Sequence, residues 1–412
     1  MTSASEPASL ADARDAMRGG GTLLFAGAGT KADWKPAPEP IDTVVAATKL
    51  SGVRAHDPGD ATCSVGAGTP LAELQAEVAT HGQWLAIDPP HVAEGATVGG
   101  ILCANDAGPR RLRYGTMRDL VIGATVVLAD GSVARSGGNV IKNVAGYDLG
   151  KLWCGSLGTL GLVAELVLRL HPLPTTTATV ALPCAAGVAT RLTLALMAAT
   201  VEPVALDWTD ARATAGAEKT LEAPDGALWV RFAGRRAAVL AQQAAVAELA
   251  TAEGVAPHDR DGEAEAAIWD RLVDGLGGAE GETVVRSGTL PSDLRAAAAA
   301  LTAATDGSDA AATLSSHAGL GLHTARLTGG AAADHAQVIS AWGAALRARG
   351  GHVSVRRRLP GLNDHLDPSH LDPWGPEPGG AALMRAVADA LDPERRCAAA
   401  RGWRGPDGGG PG

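Results

Sequence analysis

The sequence predicts an α+β chain in two parts, on three observations. The first 175 or so residues combine short strands and helices with an unusual density of glycine. From about Thr175 strand-like runs alternate with alanine-rich helical stretches, which suits a smaller, ferredoxin-like layer of antiparallel sheet with helices on one face. Beyond Pro360 the chain turns rich in Pro, Asp and His before one last helical stretch. The predicted divisions are 1–175, 176–360, a C-terminal loop and helix over 361–403 that returns toward the first part, and a disordered tail over 404–412.

Leu10 to Met17 has the spacing of a short amphipathic helix. Thr22 to Phe25 reads as a buried strand running into a glycine turn, and Val44 to Ala47 as a second strand. The turn Asp57-Pro58-Gly59-Asp60 leads into a strand from Ala61 to Val65. Thr69-Pro70 opens a helix, with threonine at the N-cap and proline at N1, and Gly82 closes it. Val121 to Leu128 and Ser132 to Arg135 flank Asp130-Gly131, a hairpin signal. Leu162 to Leu170 is a long strand ending at His171-Pro172. In the second part, strands fall at Thr179 to Leu182, Val204 to Trp208, Ala227 to Phe232 and Thr283 to Arg286. Helices fall at Val188 to Ala199, Arg236 to Ala252, Leu290 to Ala304 and Ala332 to Arg349, with the last at Gly380 to Leu391.

Composition narrows the function classes. The chain is 46% apolar and 19% charged, as globular proteins are, although alanine supplies much of the apolar share and buries little area. Its net charge of −10 argues against nucleic acid, whose binding rests on neutralised phosphates, despite the local clusters Arg110, Arg111, Arg113 and Arg356 to Arg358. Five scattered cysteines with no CxxC pair support neither a zinc ribbon nor an iron–sulfur cluster, and fit a reduced, cytoplasmic setting. Met1 to Arg18 does not read as a signal peptide. The uncharged stretch Leu170 to Thr190 carries three prolines, so direct membrane insertion is not expected and any membrane association would come through partners.

The chemistry lies in the glycine loops. Gly27-Ala28-Gly29-Thr30-Lys31 follows a strand, so backbone amides, a hydroxyl and an ammonium can converge on an anion. It is not a Rossmann turn, because Trp34-Lys35-Pro36-Ala37-Pro38 follows in place of a helix, and it lacks the P-loop spacing. Further small-residue clusters follow: Thr97-Val98-Gly99-Gly100, Asn105-Asp106-Ala107-Gly108-Pro109, Tyr114-Gly115, Lys142-Asn143-Val144-Ala145-Gly146-Tyr147-Asp148, and Gly155 to Gly161. So many in one domain suit a long ligand threaded close to backbone, such as a dinucleotide bearing a flat ring, or else tight packing in an alanine-rich protein.

The order of these segments resembles the vanillyl-alcohol-oxidase type of FAD domain, the two-subdomain PCMH-type fold. Within it the resemblance is to the FAD-binding E subunit of bacterial glycolate oxidase. Ile87-Asp88-Pro89-Pro90-His91, Ala107-Gly108-Pro109-Arg110-Arg111 and Lys142 to Asp148 carry the narrower likeness, and Gly158 to Gly161 the wider one. It covers about residues 20 to 175 well. The resemblance implies that Gly27, Ala28, Gly29, Thr30 and Lys31 wrap the FAD pyrophosphate, with Thr97, Gly99, Gly100, Asn105 and Gly108 on the other side. It adds Gly115, Lys142, Gly146, Tyr147 and Val163 to the cofactor set, Val163 through its backbone. Lys142 is a candidate cation beside the reduced flavin, or a solvated lysine; Tyr147 could stack on the ring, or be a core tyrosine. No histidine or cysteine matches a position of covalent attachment, so the FAD is expected to be non-covalent.

Catalytic residues are not fixed by the sequence; His317, His323 and Tyr147 are the candidates. In the related D-lactate and glycolate dehydrogenase subunits, a His-Ala-Gly-Asp-Gly-Asn-Leu-His segment supplies active-site and metal-binding histidines. Here His317-Ala318-Gly319-Leu320-Gly321-Leu322-His323 is one residue shorter and lacks both Asp and Asn, so ordinary strand histidines stand as the alternative, and no metal is expected. His365, His370, Asp364, Asp367 and Asp372 are spaced as an exposed loop rather than a metal cluster. Near the end Asp392-Pro393 begins the family's closing segment, but Ala399-Ala400-Arg401 stands where Pro-Gly-Arg is usual.

Three functions follow from the resemblance. One is the FAD-binding subunit of a glycolate oxidase complex that oxidises glycolate to glyoxylate, beside a catalytic flavoprotein subunit and an iron–sulfur subunit. The others are a stand-alone FAD-dependent 2-hydroxy-acid dehydrogenase and a non-catalytic assembly subunit that keeps the fold.

Overall fold

The computed structural model describes residues 2–34, 41–138, 147–366 and 379–397, which group into two compact units. The first holds the described residues of 1–107, 115–173 and 377–412; the second holds 108–114 and those of 174–376. The divide falls at Leu173/Pro174, and the short stretch 108–114 groups with the second unit. The expected tail, the Ala399 to Arg401 segment, His370, Asp367 and Asp372 lie outside the described residues.

The first unit contains two principal sheets. A parallel sheet runs in the order Ser3–Ser5, Thr43–Ala46, Leu23–Ala26. Its edge strand Ser3–Ser5 carries no apolar pattern and escapes a sequence reading. An antiparallel sheet runs in the order Val53–Asp57, Thr62–Gly66, Leu162–Arg169, Val121–Val127, Val133–Gly137. The hairpin expected at Asp130-Gly131 forms, with Gly131 at φ 81° and Asp130 Oδ1 accepting from Ser132 N at 2.7 Å.

Helix Leu10–Arg18 is capped by Ser9 and Asp12 reciprocally, and buries Ala13 and Met17. The helix expected at Thr69-Pro70 starts one residue later. It spans Leu71–Ala79 with Pro70 at the N-cap, and Thr69 does not cap it. Instead Thr69 Oγ1 donates to Gly66 O at 2.7 Å and accepts from Gly52 N at 2.8 Å. The hydroxyl is drawn to loop backbone groups that need partners more than the helix end does.

The C-terminal helix Ala381–Leu391 is followed by a segment that packs on this unit. Cys397 bridges to Leu23, and Arg396 donates to the carbonyls of Gly21, Ala129 and Met17 at 2.9, 2.9 and 2.8 Å. One guanidinium thus ties three separate turns of chain. Arg396→Ala leaves those carbonyls without their charged donor, and should lower unfolding stability by about 2–3 kcal/mol, read by urea denaturation.

The second unit is an eight-stranded antiparallel sheet. Its order is His258–Asp261, Thr176–Pro183, Ala227–Gly234, Ala205–Thr209, Ala311–His317, Leu322–Thr328, Thr283–Gly288, His352–Arg357. The helices Ala186–Ala198, Arg236–Ala252, Leu294–Thr305 and Ala332–Arg347 bury one face through Leu192, Val246, Leu301 and Trp342. The expectation of helices on one face needs correction, because Ala211–Ala217 and Gly262–Gly277 cover part of the other. Trp229 and Trp269, both buried, form the core there. The first of these two helices is short; the second carries a helical period in Ile268, Trp269, Leu272 and Leu276 that the sequence reading passed over. Among the described residues no helix is long and apolar enough to cross a membrane.

Candidate functional site

The strand Leu23–Ala26 delivers the chain to Gly27, where an added Cβ would lie 2.2 Å from Thr97 Oγ1 and force that side chain to move. Gly29 takes φ +75°, a conformation that favours glycine, and an added Cβ there would enter open space. Ala32 N then donates to Gly29 O at 3.0 Å, and the turn passes into the short 3₁₀ helix Ala32–Trp34. Opposite, Thr97 caps helix Val98–Ala104, its hydroxyl accepting from Gly100 N at 3.2 Å. A glycine pair hides this helix from propensity, yet Val98, Ile101 and Leu102 anchor it in the core.

These elements line a half-open cleft whose volume, counted with the solvent space at its mouth, is about 900 Å³. Its wall includes Gly27, Ala28, Gly29, Thr30, Lys31, Thr97, Gly99, Gly100 and Val163. Phe25, Ala67, Cys103, Leu157, Gly158 and Gly161 also line it, residues the sequence did not single out as contacts. The repeated glycines of Gly155 to Gly161 were the available signal for three of them. Lys31 is nearly buried and its Nζ stands 3.5 Å from Asp106, a fully buried carboxylate. The lysine charge is therefore partly neutralised within the wall, which leaves backbone amides a large share in meeting an anion. Burial pushes the Cys103 thiol up to about 11, so it stays protonated and a poor nucleophile at neutral pH.

Of the other expected cofactor residues, the described ones do not line this cavity. Asn105 closes helix Val98–Ala104 in a left-handed conformation, φ 46°. Gly108 lies in the stretch grouped with the second unit. Gly115, at φ 76°, makes the turn before helix Met117–Leu120. Tyr147 is 89% exposed. Lys142 and Gly146 lie outside the described residues.

In the second unit, His317 ends one strand and His323 sits in the next, joined by the turn Ala318–Leu320. His323 is closed on both nitrogens: Nδ1 meets Ser316 Oγ and Nε2 meets Thr289 Oγ1, each at 2.8 Å. Burial, reinforced by His317, lowers its pKa to about 4, which keeps it neutral. His317 differs. Its Nδ1 lies 2.8 Å from Oδ2 of Asp207 on the adjoining strand, a partner the sequence did not reveal. Among the described residues no three His, Cys, Asp or Glu side chains gather as a metal site.

Known proteins are similar to the part of the chain that carries most of this wall. The family described as "FAD binding domain" matches residues 5–137. Glycolate oxidase subunit GlcE of Escherichia coli is 42% identical over 123 residues, 30% of this chain and 35% of that protein. A D-lactate dehydrogenase of Archaeoglobus fulgidus is 35% identical over 223 residues, 52% of this chain and 45% of that protein. The chain thus spans less than half the length of these curated relatives. An alkyldihydroxyacetonephosphate synthase structure superposes with a TM-score of 0.72 at 16% identity, covering 96% of this chain and 75% of the other, a likeness of fold. Residues 5–137 are a PCMH-type FAD-binding domain, similar to that of FAD-linked oxidoreductases.

Proposed function

We propose that the chain is the FAD-carrying subunit of a glycolate-oxidase-type complex that oxidises a small 2-hydroxy acid. The observation that carries this reading is the glycine-lined cavity in a domain similar to a protein named as a glycolate oxidase subunit. The cavity wall fits the cofactor. Gly27 and Gly29 give a backbone that a long ligand can approach closely, and Thr30 and Lys31 add a hydroxyl and a charge for the pyrophosphate. Thr97, Gly99, Gly100 and Val163 hold it from the facing side. The protonated Cys103 thiol favours a dissociable cofactor.

Oxidising a 2-hydroxy acid removes a hydride from the α-carbon and a proton from the hydroxyl. FAD, once bound, supplies the hydride acceptor. The electrons would then leave through an iron–sulfur subunit, and a second flavoprotein subunit would share the reaction. Those partners would also provide any attachment to a membrane. A second reading is a stand-alone dehydrogenase of D-lactate or a similar acid, favoured by the D-lactate dehydrogenase relative that matches half of the chain. A subunit that keeps the fold for assembly alone is the reading these observations favour least.

The visible spectrum of the purified chain, taken anaerobically before and after glycolate or D-lactate, separates them. Under the proposal the chain carries oxidised flavin that bleaches only once partner subunits are added. Bleaching of the lone chain by D-lactate would establish the second reading. Flavin that no 2-hydroxy acid bleaches, with or without partners, would defeat both.

A further inference from the structure

We propose that Asp106 competes with the cofactor's pyrophosphate for the charge of Lys31, which weakens the hold on FAD and makes it an exchangeable cofactor. The proposal rests on the reading above that places the pyrophosphate at the loop Gly27 to Lys31, and not on the identity of the substrate.

The local fold puts this carboxylate behind the wall. Helix Val98–Ala104 ends at Asn105 in a left-handed turn, φ 46°, which few residues other than glycine adopt. The turn sends Asp106 inward, where it is fully buried and its N donates to Ile101 O at 3.2 Å. Oδ1 accepts from Ala107 N at 3.1 Å, and Oδ2 stands 3.5 Å from Lys31 Nζ. Lys31 lines the cavity, whereas Asp106 is not part of its lining. The carboxylate therefore acts on a ligand through the lysine, as a positioning residue.

The lysine is compensated in charge but loosely bound. Its side chain is only 10% exposed, yet Nζ reaches Asp106 Oδ2 at 3.5 Å and Thr30 Oγ1 at 3.4 Å. Charge-assisted bonds of an ammonium to oxygen run to about 2.7–2.9 Å, so both contacts are long, and an ammonium has three donors to place. Nζ can thus turn to a second anion in the cavity without giving up a short bond. That second anion creates a conflict. With no ligand bound, a nearly buried ammonium needs a counter-charge, and Asp106 supplies it. With a pyrophosphate bound, two anions face one cation, and their mutual repulsion is subtracted from the affinity. A neutral residue at 106 would reverse the balance, favouring the loaded chain and penalising the FAD-free one.

The test titrates the FAD-free full chain with FAD, read by flavin fluorescence, in the wild type, Asp106→Asn and Lys31→Gln. Asparagine keeps the shape of the side chain and an acceptor for Ala107 N, so the turn is expected to survive. Affinity for FAD should rise about tenfold in Asp106→Asn, the scale of one like charge removed from beside an anion near a protein surface. Most of the gain should appear as slower release of FAD on dilution. The affinity should also fall more steeply with added salt than in the wild type, because the lysine has lost its neutralising neighbour. Thermal unfolding reads the other half of the balance. The FAD-free variant should melt several degrees below the wild type, and the FAD-saturated variant at or above it. A residue that only supported the turn would lower the affinity and both melting points together. Lys31→Gln should lose about tenfold in affinity, as one charge contact to the pyrophosphate is removed. If Lys31→Gln binds FAD more weakly but Asp106→Asn binds it no more tightly than the wild type, the competition is overturned and the placement of the pyrophosphate stands. If Lys31→Gln binds FAD as well as the wild type does, that placement fails, and the competition with it.

Discussion

Gly29→Asp is expected to lose FAD while the domain stays folded. The position has φ +75° and an added Cβ meets nothing within 4 Å, so the new side chain projects into the open space of the cavity wall rather than into packing. Aspartate tolerates the left-handed conformation better than most residues, and the backbone strain is about 1 kcal/mol. The new carboxylate would stand where the pyrophosphate is proposed to lie. Like charges about 4 Å apart near a protein surface repel by about 4 kcal/mol, so FAD affinity should fall by at least about 100-fold. Flavin fluorescence titration of the apo chain measures this, with circular dichroism as the control for folding. Gly29→Ala adds the strain without the charge and should cost far less. Unchanged affinity in a folded Gly29→Asp chain would remove this loop from the cofactor site.

The largest stability effect is expected at Glu265. This residue is fully buried on the second unit's minor face, where both its oxygens are used. Oε1 lies 2.8 Å from Arg231 Nε and accepts from Thr179 Oγ1 at 2.9 Å; Oε2 accepts from Arg231 Nη2 and Thr177 Oγ1, both at 3.1 Å. Trp269 donates to Thr179 Oγ1 at 2.8 Å, and the Arg231 guanidinium sits 5.2 Å from the Trp269 ring centroid. Glu265→Ala removes one charge of a desolvated pair and leaves the guanidinium with its counter-charge gone. Breaking such a pair costs about 3–5 kcal/mol. Glu265→Gln keeps the shape and an acceptor for one of the threonines but not the charge, and should fall between. Urea denaturation followed by tryptophan fluorescence measures both; a loss below about 1 kcal/mol for the alanine variant, well under the range for a buried pair, would contradict this reading of Glu265.

Much of the fold is legible in the amino-acid sequence. The strands and helices with a clear period, such as Arg236–Ala252 and Leu162–Arg169, form close to where the pattern places them. The loop Gly27 to Lys31 and the cluster Thr97 to Gly100 meet across one cavity because each keeps backbone bare of side chains, and glycine announces that in a sequence. The features that stay hidden are set by contacts between distant segments. Thr69 looks like a helix cap but serves a loop 17 residues away, and Ser3–Ser5 becomes a strand only because Thr43–Ala46 offers an edge. Asp207 gives no local sign of pairing with a histidine 110 residues later. The two histidines look alike in the motif, and only their neighbours give one two hydroxyls and the other a carboxylate.

The domain over residues 5–137 holds FAD, and the glycine-lined cavity is the place proposed for it. The most direct measurement is the flavin content of the purified chain after incubation with FAD and removal of the excess, followed by acid precipitation. The expected result is a yellow protein with about one flavin per chain, and FAD recovered in the supernatant because no bond joins it to Cys103. A colourless chain that takes up no FAD would contradict the central claim.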